Sequence, residues 1–142
     1  MQIRRIDDHI SVSPQIDPAD VTDLAARGFV AVINNRPDGE EAGQPDSDAV
    51  AQAAETLGLA YTAIPVAQGF SHAQIDAMRA ALDEAEGPVL AFCRSGTRSC
   101  NLWALAEAKA GADPEEITAK ARAAGYDLSG IRPLLDALSA GA

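Results

Sequence analysis

Cysteine and histidine are nearly absent from this chain, with two of each in 142 residues: Cys93, Cys100, His9 and His72. Two cysteines cannot build a disulfide framework, and they suit a reducing compartment. No cysteine–histidine pair has metal-ligand spacing, so a zinc site of those residues is improbable and no metal or cofactor is expected. Positive charge is also scarce: 11 Lys and Arg stand against 21 Asp and Glu, a net charge of −10. That balance argues against a nucleic-acid partner, which would demand clustered basic residues. No apolar run approaches the roughly 20 residues of a membrane-spanning helix. The opening MQIRRIDDHISVSP has two arginines but no apolar stretch behind them, which speaks against a secretory signal and for the cytoplasm. Repeats, low-complexity tracts and linkers are missing as well.

What is present is apolar residues, at 47% of the chain, and a length that suits one domain over 1–142 with a real core. Ile3, Ile10 and Val12 suggest short opening strands. Asp17-Pro18 reads as N-cap and first residue of a helix with Val21, Leu24 and Ala25 at helical spacing, ending at Gly28. Residues 29–33 form a continuous apolar run, the pattern of a strand buried on both faces. The loop Asn34 to Gly39 follows, then a helix near 47–57 and a second buried strand over 60–66. Ala67 to Phe70 is loop. Ser71 caps a helix bearing Ile75, Met78, Ala81 and Leu82, which Gly87-Pro88 breaks. A third buried strand runs over 89–92. Helices are then expected over 97–110, from Asp113-Pro114 to about 124, and over 130–138, with a frayed SAGA tail. Strands alternating with helices predict an α/β domain with a mainly parallel sheet. Ligands of such sheets bind beyond the C-terminal strand ends, which brings 34–38, 68–70 and 93–98 to one edge.

The sharpest local signal is CRSGTRS, Cys93 to Ser99, where a strand passes into a helix. The N–H groups of Arg94 to Arg98 lack helical partners there and can converge on an anion. Gly96 permits a left-handed or closely approached backbone. The helix terminus and the flanking arginines would favour a thiolate at Cys93. Arg98 can take two oxygens of an oxyanion at once, and Ser95, Thr97 and Ser99 offer hydroxyls to the sulfur. An inert buried cysteine is the plain alternative, as is a non-catalytic module that keeps the loop only to bind an anion.

CRSGTRS resembles the active-site loops of cysteine-dependent protein phosphatases and of rhodanese-like sulfurtransferases. Together with ISVSPQIDPADVTDLAARGFVAVINNRPDGEE and GLAYTAIPV, it makes residues 3–110 resemble the bacterial beta-lactamase-hydrolase-like, phosphatase-like domain family. That resemblance implies a three-layer fold of the dual-specificity and tyrosine phosphatase type. It leaves two reactions open, because members are called phosphatases by fold and sulfurtransferases by association with persulfide dioxygenases. It also implies such a dioxygenase as a partner acting in trans.

Compared with the phosphatase pattern, Phe92 stands where histidine would precede the cysteine. Four residues rather than five separate Cys93 from Arg98. The loop after Val66, which holds an Asp general acid in phosphatases of this fold, has Gln68 and no carboxylate before Asp76. Hydrolysis of a phosphate ester needs its alkoxide protonated, and His72 is the one substitute nearby. Sulfur transfer releases sulfite or a thiolate and needs no such acid. A sulfurtransferase taking a small sulfur-containing anion is therefore the expected function, with a phosphatase acting on a phosphorylated substrate as the alternative. Asn34 or Asn35 is expected to brace the loop and Arg36 to recruit an anion, unless NNRPDGEE is simply a turn. Cys100 and Trp103 read as core, and Glu40-Glu41 as solvated surface.

Overall fold

The computed structural model describes residues 1–142. Its five strands are β1 (Arg4–Arg5), β2 (Ile10–Ser13), β3 (Ala31–Asn34), β4 (Ala60–Ala63) and β5 (Val89–Phe92). They form one sheet in the order β1-β2-β5-β3-β4, antiparallel only between β1 and β2. The last strand of the chain therefore inserts between β2 and β3, and its C-terminal end opens where the connections diverge to opposite sides. In α/β sheets that point is the usual ligand crevice.

Six helices cover the sheet: α1 (Asp20–Ala26), α2 (Ser47–Thr56), α3 (His72–Glu84), α4 (Thr97–Lys109), α5 (Pro114–Ala123) and α6 (Arg132–Ala140), the last entered by a 3-10 turn. The period-2 alternation of strands divides the core cleanly. Ile10, Val12, Ala31, Ile33, Val89 and Ala91 face one way, toward α3, α4, α5 and α6. Val32, Leu90 and Phe92 face the other, toward α1 and α2. This is the expected three-layer α/β arrangement, with the mainly parallel sheet in the middle. No helix is long and apolar enough to cross a membrane.

Several boundaries differ from the sequence reading for physical reasons. The strand expected over 29–33 is shifted to Ala31–Asn34, because Phe29 and Val30 lie at the sheet's rim and Val30 is exposed. β4 is an edge strand, so its residues are half-exposed rather than buried, and it ends before Ile64 and Val66, which are the buried ones. Asp17 does not cap α1. The helix starts three residues later, with Ala19 at its cap, and the Asp20 carboxylate turns back to accept from the Asp17 amide. Ser139 and Ala140 are helical in α6 rather than frayed, and Ser139 Oγ donates to the Ala112 carbonyl. The caps at Ser71 and Asp113 form as read, and Ser71 completes a reciprocal capping box with Gln74.

Candidate active site

β5 delivers Cys93 to the sheet's C-terminal edge, where its amide donates to the Ser13 carbonyl of β2. On the other side, the Asn35 amide donates to the Phe92 carbonyl at 2.8 Å. Cys93 is thus clamped between both neighbouring strands, and its side chain is buried. The chain reverses over Arg94 and Ser95 to reach α4. Gly96 makes the reversal with φ +89°, a left-handed conformation. A Cβ at Gly96 would also lie 2.2 Å from the Tyr126 hydroxyl, so the position is closed to side chains twice over. Tyr126 uses that hydroxyl to donate to the Ser95 carbonyl, pinning the loop from outside.

Within the loop, the Gly96 amide donates to Cys93 Sγ at 3.1 Å. The Thr97 amide turns instead to Ser95 Oγ, and that hydroxyl donates to Thr97 Oγ1. The amides of Arg94 and Ser95 have no acceptor within the protein. The Arg98 amide likewise has no acceptor, so Arg94, Ser95 and Arg98 supply the loop amides free for an anion, and only Gly96 and Thr97 of the run from Arg94 to Arg98 are engaged. No loop hydroxyl bonds Cys93: Ser95 and Thr97 bond each other, and Ser99 Oγ is buried without a partner.

Arg98 projects from the first turn of α4. Its Nη1 donates to Glu40 Oε2 at 2.8 Å and to the Val66 carbonyl at 2.7 Å, while Nη2 donates to Glu40 Oε1 at 2.7 Å. Three of the five N–H groups of a guanidinium are thereby used. The Nε–H and one Nη2–H remain, along one edge of the planar group. The Glu40 hydrogen bonds hold Arg98 more basic than usual against some burial, and the neighbouring Cys93 sulfur adds to this. Glu40 is in turn held down at about 2, first by Arg98 and, against burial, also by Arg36.

Arg36 is the second guanidinium of this cluster. It is almost wholly buried, donates from Nε to Glu40 at 2.9 Å and from Nη1 to Gln15 at 3.1 Å, and leaves Nη2 without a hydrogen bond. It grips Glu40 instead of facing an anion. Asn34 supports Arg36 by accepting from its amide, and donates to the Tyr61 hydroxyl on β4 rather than to the Cys93 loop. Bracing of the loop falls to the Asn35 main chain. Asp38 accepts from the first amide of α2, at Ser47. Glu40 and Glu41 are exposed, as read, but they are also paired: the first joins Arg36 to Arg98, and the second lies 3.4 Å from Arg94. Sequence reasoning missed both Glu40 and Tyr126.

Gln68 is exposed, and the segment's contribution to the site is the Val66 carbonyl. His72 is placed away from the loop. Its ring meets Lys109 at the last turn of α4, whereas Cys93 precedes the first turn. The twelve-residue rise from Thr97 to Lys109 along α4 is about 18 Å at 1.5 Å per residue. Cys100 is packed in the core, and burial, with Cys93 nearby, pushes its thiol up to about 12. None of the protein's cavities is lined by Cys93 or Arg98.

A strand-terminal cysteine, a left-handed glycine and an arginine at a helix start make a cysteine-phosphatase-like site, and comparison with known proteins finds phosphatase-like relatives. Residues 2–110 match the family described as beta-lactamase hydrolase-like protein, phosphatase-like domain. The chain belongs to that family. It is 40% identical over 130 residues to the beta-lactamase hydrolase-like protein of Xylella fastidiosa, covering 90% of this chain and 30% of that one. It is 38% identical over 142 residues to the protein of the same name from Agrobacterium fabrum, covering 99% of this chain and 33% of that one. The chain thus spans about a third of the length of these curated relatives. A crystal structure of a candidate phosphatase from Neisseria meningitidis superposes with a TM-score of 0.83 at 37% identity, covering 97% of this chain and 99% of that one. TpbA of Pseudomonas aeruginosa, solved in complex with pTyr, shares the fold at 18% identity and a TM-score of 0.62, covering 99% and 91%.

Proposed function

We propose that the chain is a thiolate-dependent sulfurtransferase built on a cysteine-phosphatase fold. The supporting observation is the state of the carboxylates beside the loop. Glu40 is bonded to two arginines and held at about 2, and Glu41 is ion-paired to Arg94, so Glu40 has no proton to give a leaving alkoxide at neutral pH. The segment after Val66 supplies no carboxylate before Asp76, which is paired with Lys109 at the far end of α4. A reaction whose leaving group is already a stable anion suits such a site.

In the proposed cycle Cys93 attacks the outer sulfur of an organic persulfide, R–S–SH. A bond forms between Cys93 Sγ and that sulfur, the donor's S–S bond breaks, and R–S⁻ departs with the electron pair. With thiosulfate the same step releases sulfite. An acceptor thiolate then attacks the outer sulfur of the Cys93 persulfide, forming the acceptor's persulfide and regenerating the Cys93 thiolate. The amides of Arg94 and Ser95 and the free edge of Arg98 would hold the anionic groups. A persulfide dioxygenase acting in trans, implied by the family resemblance, would consume the product.

Phosphate-ester hydrolysis through a Cys93 phosphocysteine is the second reading, and the comparisons favour it. The family description, the Neisseria structure and the TpbA complex all carry phosphatase or pTyr in their names. Fold likeness is an associational warrant, since one fold hosts many reactions. Mass spectrometry after incubation with thiosulfate or glutathione persulfide separates the two. One added sulfur on Cys93, removable by thiols, is the expected result. No added sulfur together with efficient hydrolysis of an aryl phosphate overturns the proposal. Cys93→Ser abolishes either activity but spares a module that only binds anions.

A further inference from the structure

The geometry points to Glu40 as a charge filter that sets the substrate class: the site takes a singly charged or uncharged sulfur donor, of the organic persulfide type, and disfavours doubly charged oxyanions. This rests on the sulfur-transfer reading for the word donor, but the filter itself is a property of anion binding. It begins with how the charges at the loop are arranged. Arg36, Arg94 and Arg98 are the guanidiniums, and Glu40 and Glu41 are the carboxylates that face them. Two carboxylates offset two of the three guanidiniums, and the attacking sulfur adds a further negative group, so little net positive charge remains in the loop that sequence suggested as a positive pocket.

Glu40 is the strongest of these offsets. It sits end-on against Arg98 with two hydrogen bonds of 2.7 and 2.8 Å, on the guanidinium that a bound oxyanion would also use. Its other partner, Arg36, is buried and fixed by Gln15, so the carboxylate is held from behind and does not swing away freely. Any anion on the remaining edge of Arg98 lies within a few ångströms of a permanent negative charge and feels repulsion in proportion to its own charge. A dianion such as sulfate, thiosulfate or a phosphate monoester is repelled twice as strongly as a monoanion in the same place. The free amides of Arg94, Ser95 and Arg98 match a small anionic group, and, carrying no formal charge, they do not restore the missing net charge.

The test compares sulfate with methanesulfonate, two tetrahedral probes that differ in charge, by following the Arg94 and Ser95 amide resonances during titration. In the unaltered protein, sulfate is expected to bind no more tightly than methanesulfonate. Glu40→Gln is expected to tighten sulfate about 10-fold and methanesulfonate only about 3-fold, the square-root relation that a pure charge effect imposes. Glu40→Asp keeps the charge and is expected to keep the original preference, which controls for loss of the Arg36 and Arg98 contacts. Equal tightening of both probes, or weakening of both, overturns the filter and leaves Glu40 as a holder of Arg98. Donor assays on the same variants keep the two claims apart. If Cys93 accepts sulfur from no donor while the titrations follow the square-root relation, the filter stands and sulfur transfer fails. If sulfur transfer occurs but Glu40→Gln leaves the ratio of thiosulfate to 2-mercaptoethanol persulfide turnover unchanged, the filter fails alone.

Discussion

Replacing Gly96 with alanine probes the loop where sequence and packing constrain it together. Two independent costs meet at this position. At φ +89° an L-residue with a Cβ is strained by about 1–2 kcal/mol. The new methyl would also fall 2.2 Å from the Tyr126 hydroxyl, inside any tolerable contact, so the tyrosine must move. Moving it breaks the bond from that hydroxyl to the Ser95 carbonyl, a loss of about 1 kcal/mol. The expected destabilisation is therefore about 2–3 kcal/mol, a fall in Tm of about 6–12 °C for a chain of this size. Calorimetry measures it directly. The decisive comparison is the double-mutant cycle with Tyr126→Phe, which deletes the clashing oxygen. Because the ring carbon behind it stands 3.1 Å from the same Cβ, relief is partial, and a coupling of about 1 kcal/mol is expected. Strictly additive effects, or a Gly96→Ala protein that melts at the original temperature, would show that Tyr126 does not define the loop.

Three further outcomes follow from the same structure. Glu40, lowered from 4.5 to about 2, contributes stability that is fully present above pH 4.5 and lost as pH falls toward 2. After allowance for solvent screening this is about 1–2 kcal/mol, so urea midpoints of Glu40→Gln should be lower at pH 7 and converge with the parent's near pH 2. Cys100, its thiol pushed up to about 12, should stay unalkylated by iodoacetamide in the folded protein through pH 9, and Cys100→Ala should retain sulfur uptake on Cys93. Labelling of Cys100 under native conditions would contradict its place in the core. Ser71→Ala removes one half of the capping box of α3 and should cost about 1 kcal/mol by thermal melting, with no change in anion binding because α3 begins away from the loop.

The parts of this fold that could be read from sequence are those whose physics is local. Ser71 and Asp113 announce their helices because a cap and its amide lie within a few residues. The buried strand β5 and the joint at Cys93 show as an apolar run followed by a glycine-bearing turn. The edge position of β4 was not legible, because Ala60 to Val66 is as apolar as a central strand and only the strand order leaves it half-exposed. Glu40 was invisible for a sharper reason. Its partner Arg98 is 58 residues away, and an adjacent pair of glutamates after a turn has every mark of a solvated surface. Tyr126 acts on Ser95 across 31 residues, with no local pattern to mark it. One signal was available for the first: a buried anion loop with basic flanks in so acidic a chain needs counter-charges, and NNRPDGEE lies on the same sheet edge.

Helix α4 explains how one element serves stability and chemistry together. Most of its length is buried, with Cys100, Leu102, Trp103, Leu105 and a series of alanines packed between the sheet and the neighbouring helices. Small residues let those neighbours approach closely, so the helix axis has little freedom to shift. Its N-terminus follows the opposite rule. Where α3 and α5 satisfy their first amides with Ser71 and Asp113, α4 begins at a glycine with no side-chain cap. An oxygen-bearing cap in that place would occupy the amides that the loop must present and would crowd Cys93. Leaving the end bare forgoes about 1 kcal/mol of capping, and the buried body of the helix compensates. The loop's geometry is therefore held by the core and by Tyr126 as well as by its own bonds among Cys93, Ser95, Gly96 and Thr97. On this reasoning an apolar substitution deep in α4, such as Trp103→Ala, disturbs anion binding at the loop through position alone, without touching a single group that contacts the anion.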